Sequence, residues 1–243
     1  LAGTTLAIEP KLVAKELGFA RVAENSMDAV ASRDFIAELL AMIAVLFSHL
    51  SRLAGEITLW ASSEFGFVRL DDRFSTGSSM MPQKRNPDVA ELVRGKSGRA
   101  YGNLMALLTT VKGLPLAYNS DLQEDKEALF DSVDTAVSSL NTLAAMVRTL
   151  SFDEARMAAA ASDSLLLATD LAEALVKEGL PFREAHEITG RLVGHCIKRG
   201  LELGEVDKAT AARISPKLDH GLLATLNAGK AVDARKTAGG TAT

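Results

Sequence analysis

The chain has 243 residues, 47% of them apolar and 5% aromatic, with 27 Lys plus Arg against 31 Asp plus Glu. That length means one large or two modest domains, with enough interior for a real core. The formal charge of −4 supplies no basic field to condense on phosphate, which argues against nucleic acid or an anionic membrane as partner while leaving room for a small anion.

Helical signals dominate, and no alternating strand run stands out. Phe35, Leu39, Leu40, Ile43, Leu46, Phe47, Leu50 and Leu53 recur at three- and four-residue steps, which predicts a helix over 34–62. Apolar residues cover much of its remaining surface, so it is expected inside a bundle with neighbours on most sides. Its uncharged part, 39–51, falls short of the about 20 residues that a bilayer span needs. Over 64–79 the periodicity fails, and Gly66, Gly77 and a polar cluster of Asp71, Asp72, Arg73, Ser75 and Thr76 predict a long functional loop. A helix start follows, with Asn86 as N-cap, Pro87 at the first helical position, and Asp88 and Glu91 at the positive end. That helix is expected to reach Val111 and stop at Lys112-Gly113, before Pro115. Another is predicted over 121–150.

Beyond Ser151 the helices become short and clearly punctuated. One is expected over 165–178, ending at Gly179 and Pro181; one over 182–199, ending at Gly200; and Ser215-Pro216 opens a further element. A domain boundary is placed near Leu150, giving a bundle domain over 1–150 and a smaller helical domain over 151–243. The tail 237–243 is small, Gly-containing and expected to be loose. The chain opens on Leu1 rather than Met, read as an internal boundary. The one cysteine, Cys196, cannot form an intrachain disulfide and suits a reducing cytosol.

The chemistry concentrates in Gly77-Ser78-Ser79-Met80-Met81-Pro82-Gln83-Lys84-Arg85-Asn86-Pro87-Asp88. Two hydroxyls, a lysine and an amide stand there just before a helix N-terminus, whose unpaired N–H groups and partial positive charge suit a carboxylate. On physics alone this is an anion site with two serines beside it; the plainer alternative is a capped loop with surface charge.

Gly77 to Asn86 resembles the signature GSSxMPxKxN of the fumarase and aspartase superfamily, matching at all seven specified positions. The surroundings narrow the likeness. Asn25-Ser26-Met27-Asp28-Ala29-Val30, Ser63-Glu64-Phe65-Gly66, Lys112-Gly113-Leu114-Pro115, Tyr118-Asn119 and Asp121-Leu122-Gln123-Glu124-Asp125-Lys126 are similar to the argininosuccinate lyase family. The resemblance runs from Leu1 to the Gly239-Gly240-Thr241 tail and corresponds to roughly the C-terminal half of that family. It implies an all-α fold, a long-helix bundle followed by a small helical domain, and a cytoplasmic homotetramer whose active sites are shared between subunits. It also implies β-elimination of argininosuccinate to arginine and fumarate, without cofactor or metal.

By the same resemblance Ser78 is the base, Lys84 and Asn86 hold the substrate carboxylate beside Ser79, and Glu91 pairs with a catalytic histidine. Tyr118, Gln123 and Lys126 hold the rest of argininosuccinate. Glu91 read without the resemblance is a first-turn helix residue, and Gln123 and Lys126 belong to a solvated helix start among Asp121, Glu124, Asp125 and Glu127. The family's histidine comes from a motif in the half that precedes the position of Leu1. None of His49, His186, His195 or His220 stands in a matching motif; His49 is expected to be a core or interface residue. Gly95-Lys96-Ser97 lacks a P-loop's first glycine, where Ala90 stands. His195-Cys196 has no second ligand pair, so zinc is not supported. Arg33-Asp34 and Arg148 are read as structural charges, and Arg85 stands where the family often has Lys. Two alternatives stay open: another fumarate-releasing lyase such as adenylosuccinate lyase, against which Tyr118, Gln123 and Lys126 argue, and a non-catalytic crystallin-like scaffold.

Overall fold

In the computed structural model, which describes residues 1–242, the helices α1 (Pro10–Glu16) and α2 (Ser26–Ala31) precede the long α3 (Asp34–Trp60). Asn25 starts α2 by accepting hydrogen bonds from the N–H groups of Met27 and Asp28. Along α3, Ile36, Leu40, Ile43, Phe47, Leu50, Ala54 and Ile57 are buried, one stripe at helical spacing. They pack on α4 (Asp88–Val111) and α5 (Asp125–Arg148). Ile36 and Leu40, from the start of α3, share a cluster with Leu107 near the end of α4 and Ala128 near the start of α5. Ile57, Ala90 and Met146 meet in a second cluster. The three helices therefore run up, down and up.

Four two-residue strands, too short to show alternation, were not foreseen. The strand β1 (Val68–Arg69) pairs antiparallel with β4 (Ser151–Phe152), and β2 (Thr76–Gly77) pairs antiparallel with β3 (Arg85–Asn86). The second pairing corrects the expected start of α4. Asn86 lies opposite Thr76 in the ladder, so the helix begins at Asp88 with Pro87 as N-cap and no side-chain cap. The start of α5 also moves, because residues 120–124 form a 3₁₀ turn with Leu122 buried. At the far end of α4 the chain turns through Gly113 at φ 81°, a left-handed conformation that favours glycine.

By contact density the chain divides into Leu1–Phe152 and Asp153–Thr243. The second unit contains α6 (Glu154–Ala160), α7 (Ala168–Lys177), α8 (Phe182–Arg199), α9 (Lys208–Ile214), α10 (His220–Thr225) and α11 (Ala228–Ala234). Its core joins Leu171, Leu175, Ile188, Leu192, Cys196, Leu203 and Leu223. The helix α8 closes on Gly200 at φ 66°, as its sequence predicts. The segment 165–178 instead divides into a 3₁₀ turn over 164–167 and α7. Ser215 ends α9 rather than opening an element: its N–H donates to the Ala211 carbonyl, and the next helix begins at His220, capped by Asp219. The tail is tied down as well. Ala242 N–H donates to the Arg235 carbonyl at 3.2 Å and the Thr241 hydroxyl to the Val232 carbonyl at 3.2 Å; Thr243 lies outside the described residues. Among the described residues no helix is long and apolar enough to cross a membrane.

Candidate active site

Pairing of β2 with β3 closes residues 78–84 into a projecting loop. Ser78 N–H donates to the Lys84 carbonyl at 3.3 Å, and Lys84 N–H to the Met81 carbonyl at 3.0 Å. The Thr76 hydroxyl donates to the Asp88 carboxylate, which fastens the hairpin to the first turn of α4. The Ser78 Oγ accepts from the N–H groups of both Met80 and Met81, each at 3.2 Å. Two donors on one oxygen favour the form of that oxygen that carries negative charge. Ser79, its neighbour, is exposed, as is Lys84, and Asn86 is half-buried. Lys84 makes no ion pair with a carboxylate among the described residues.

Asn86 does not cap the helix, which leaves donors free. The first backbone bond of α4 runs from the Glu91 N–H to the Pro87 carbonyl at 3.0 Å, so the N–H groups of 88–90 precede it and receive no side-chain cap. An anion is favoured there by the aligned peptide dipoles. Glu91 sits in the same first turn with its side chain exposed. Ser78, Ser79, Lys84, Asn86 and Glu91 are thus held at one end of the bundle.

Tyr118, Gln123 and Lys126 form a second group. Gln123 Nε2 donates to the Tyr118 hydroxyl at 3.2 Å, and Lys126 Nζ donates to Asp125 Oδ1 at 2.8 Å. Tyr118 follows Ala117, the one non-glycine among the described residues with positive φ, at 71°. This group lies beyond the last residue of α4, whereas the 78–84 loop precedes its first. With 24 residues at about 1.5 Å each, α4 separates the two groups by about 36 Å. The fold does not bring them together within one chain.

His49 is exposed on α3 rather than buried in this chain's core, His186 is exposed on α8, and His195 and His220 are half-buried in the second unit. Among the described residues no group of three His, Cys, Asp or Glu is arranged to hold a metal ion. Sequence reasoning missed the roles of Thr76 and Asp88 in anchoring the loop. It also set Arg33 aside as a structural charge and gave Asp125 no role, although Arg33 Nε binds the Asp125 carboxylate across 92 residues of sequence. No local pattern signals such a pair.

The long-helix frame is that of the fumarase-type lyases. The structure matches a variant of EDDS lyase with bound fumarate at a TM-score of 0.82 and 29% identity, covering 99% of this chain and 50% of that one. It matches the class II fumarase from Schistosoma mansoni at a TM-score of 0.70 and 20% identity, covering 88% of this chain and 45% of that one, a likeness of fold alone. In sequence, a family profile described as lyase matches residues 1–102, and one described as argininosuccinate lyase C-terminal matches residues 165–233. The argininosuccinate lyase of Moorella thermoacetica is 54% identical over 242 residues, 100% of this chain and 52% of that protein. The argininosuccinate lyase of Campylobacter curvus is 55% identical over 243 residues, again 100% of this chain and 52% of that protein. Along its whole length the chain is similar to argininosuccinate lyases, and it spans about half the length of the curated relatives it matches.

Proposed function

We propose that this chain supplies part of the active site of an argininosuccinate lyase, which eliminates fumarate from argininosuccinate and releases arginine. The observation that carries the reading is the Ser78 Oγ held by two backbone N–H groups inside the matched signature. In the reaction a proton leaves the carbon next to a carboxylate, the electron pair of that C–H bond becomes part of the fumarate double bond, and the C–N bond breaks with its pair on the departing arginine nitrogen, which takes up a proton. Charge gathers on the carboxylate oxygens as the proton leaves. Donors and a cation fixed at those oxygens lower the barrier more than they stabilise the bound substrate. Lys84, Asn86 and the free N–H groups of α4 are the groups for that task. Ser78 Oγ takes the proton, with the N–H groups of Met80 and Met81 stabilising the oxygen in its charged form. Glu91 orients a histidine supplied from outside these residues and favours its charged form. The residue chemistry calls for neither cofactor nor metal.

Tyr118, Gln123 and Lys126 hold the arginine-bearing part of the substrate. Because about 36 Å separates them from Ser78 along α4, the complete site is assembled from different copies of the chain. The assembly we propose is a homotetramer, and the apolar side chains left exposed on the long helices support association, among them Phe35 at 67%, Met42 at 61%, Leu92 at 63% and Phe130 at 62%. The working compartment is the cytoplasm, with no nucleic acid or membrane as partner. The test follows fumarate absorbance with argininosuccinate and with adenylosuccinate. Residues 1–243 alone should release none from either. Adding an N-terminal family half that carries the histidine should restore release from argininosuccinate only. Robust turnover by the chain alone would show that a residue within it replaces the histidine, and release from adenylosuccinate would reassign the substrate.

A further inference from the structure

The start of α5 carries a charge arrangement that the proposed chemistry has not used. Asp125 is 2% exposed, although it lies at a helix start crowded with solvated acidic residues. Its Oδ2 takes the Arg33 Nε, and its Oδ1 takes the Lys126 Nζ at 2.8 Å. Arg33 is itself fixed, donating from one terminal nitrogen to the carbonyls of Val30 at 3.1 Å and Ser32 at 2.7 Å. Burial raises the affinity of Asp125 for a proton, but the hydrogen bonds from Lys126 and Arg33 outweigh it and hold the carboxyl below its usual range. Two cations on one carboxylate leave a net positive charge, and the Lys126 side chain is 58% exposed.

We propose that Asp125, clamped by Arg33, is a positioning residue: it fixes the Lys126 ammonium so that its remaining N–H donors face the substrate. The inference rests on the reading of Lys126 as a substrate-binding residue. A free lysine is a point charge on a flexible four-carbon stem, and holding it in one place costs rotamer entropy each time a ligand binds. One ammonium hydrogen on Asp125 Oδ1 meets that cost before binding and leaves two donors for the substrate. Arg33 matters because it holds the carboxylate from the other side. Its own anchors are the carbonyl of Val30 in α2 and that of Ser32 between α2 and α3, so the clamp joins three helices at the end of the bundle where Tyr118 and Gln123 also stand. Asp125 and Arg33 act through Lys126 and need no contact with the reacting atoms.

The test uses this chain assembled with the family's N-terminal half. Asp125→Asn should raise the KM for argininosuccinate about tenfold or more, the scale of a weakened charged hydrogen bond, with a much smaller change in kcat. Arg33→Gln should do the same to a lesser degree, and it keeps the proposal testable if the Asp125 variant does not fold. Inhibition by fumarate, which engages the 78–84 loop at the far end, should not change in either; a general loosening of the fold would weaken it too. In a Lys126→Met background, Asp125→Asn should add little, because the group it positions is gone. A raised KM in Lys126→Met alone, with neither Asp125→Asn nor Arg33→Gln raising it, would overturn the positioning role and leave the proposed function standing. Equal additive losses in both backgrounds would overturn it as well. An unchanged KM in Lys126→Met, or no turnover in the unsubstituted assembly, would overturn the proposed function and this inference with it.

Discussion

Two adjacent serines in one loop have different surroundings, and the roles proposed for them follow that difference. Ser78 Oγ accepts two backbone N–H groups, whereas the Ser79 side chain has no hydrogen-bond partner among the described residues. In the complete enzyme, Ser78→Ala should lower turnover by at least about 10²-fold, the low end for losing a general acid or base, with KM largely kept. Ser79→Ala should cost less, and equal mild losses in steady-state assays would remove Ser78 from its role. In the proposed site Lys84 faces a carboxylate present in both substrate and product, so Lys84→Met should weaken fumarate inhibition and turnover together. Unchanged inhibition would move the anion site elsewhere. The candidate site around both residues was legible because its pattern is local: ten consecutive positions carry the signature, and the hairpin needs only a short loop to bring Ser78 back to Lys84. The Arg33–Asp125 pair was not legible. It spans 92 positions and depends on α5 returning alongside α3, a matter of packing that no single stretch of sequence records.

At the scale of elements, α3 shows what periodicity reveals and what it leaves open. Three- and four-residue steps placed the helix within two residues of its observed end, because one buried stripe repeats over 27 residues. The start of α4 was misplaced by the opposite circumstance. A single residue pairing, Asn86 with Thr76, outweighed a favourable capping residue. Which apolar side chains of α3 face this chain's core was also hidden, since Phe47 is fully buried while Met42 and Val45 are 61% and 58% exposed. Their substitutions should separate folding from association. Phe47→Ala should destabilise the first unit by about 3–5 kcal/mol, read by urea unfolding. Met42→Glu should leave the helical circular dichroism unchanged and shift sedimentation toward smaller species, since a charge on an apolar contact face is paid for only when copies meet. If Met42→Glu sediments like the parent chain, that face of α3 is not where copies associate.

For the whole molecule, the length of α4 makes a quantitative demand. The loop bearing Ser78 and Lys84 and the group bearing Lys126 stand at opposite ends of a helix about 36 Å long, and no bending of one chain joins them. If one site takes its loop from one copy and its Lys126 group from another, two inactive variants should repair each other. Lys84→Met spoils the loop of its own chain but leaves Lys126 sound; Lys126→Met does the reverse. In assemblies formed from an equal mixture, each with the N-terminal half present, a site works only when its loop comes from the Lys126→Met chain and its clamp from the Lys84→Met chain. Random assembly places that combination in about one quarter of the sites of a closed oligomer. Fumarate release should therefore rise from the low level of either variant to about one quarter of the unsubstituted rate. It should do so only after the oligomers are dissociated and reassembled together, because mixing finished assemblies exchanges nothing. The same dependence on shared sites predicts that diluting the protein below its association range lowers the rate per chain. If co-assembly gave no more than the sum of the two variants, the loop and the Lys126 group would not serve one site, and Tyr118, Gln123 and Lys126 would lose their place in substrate binding.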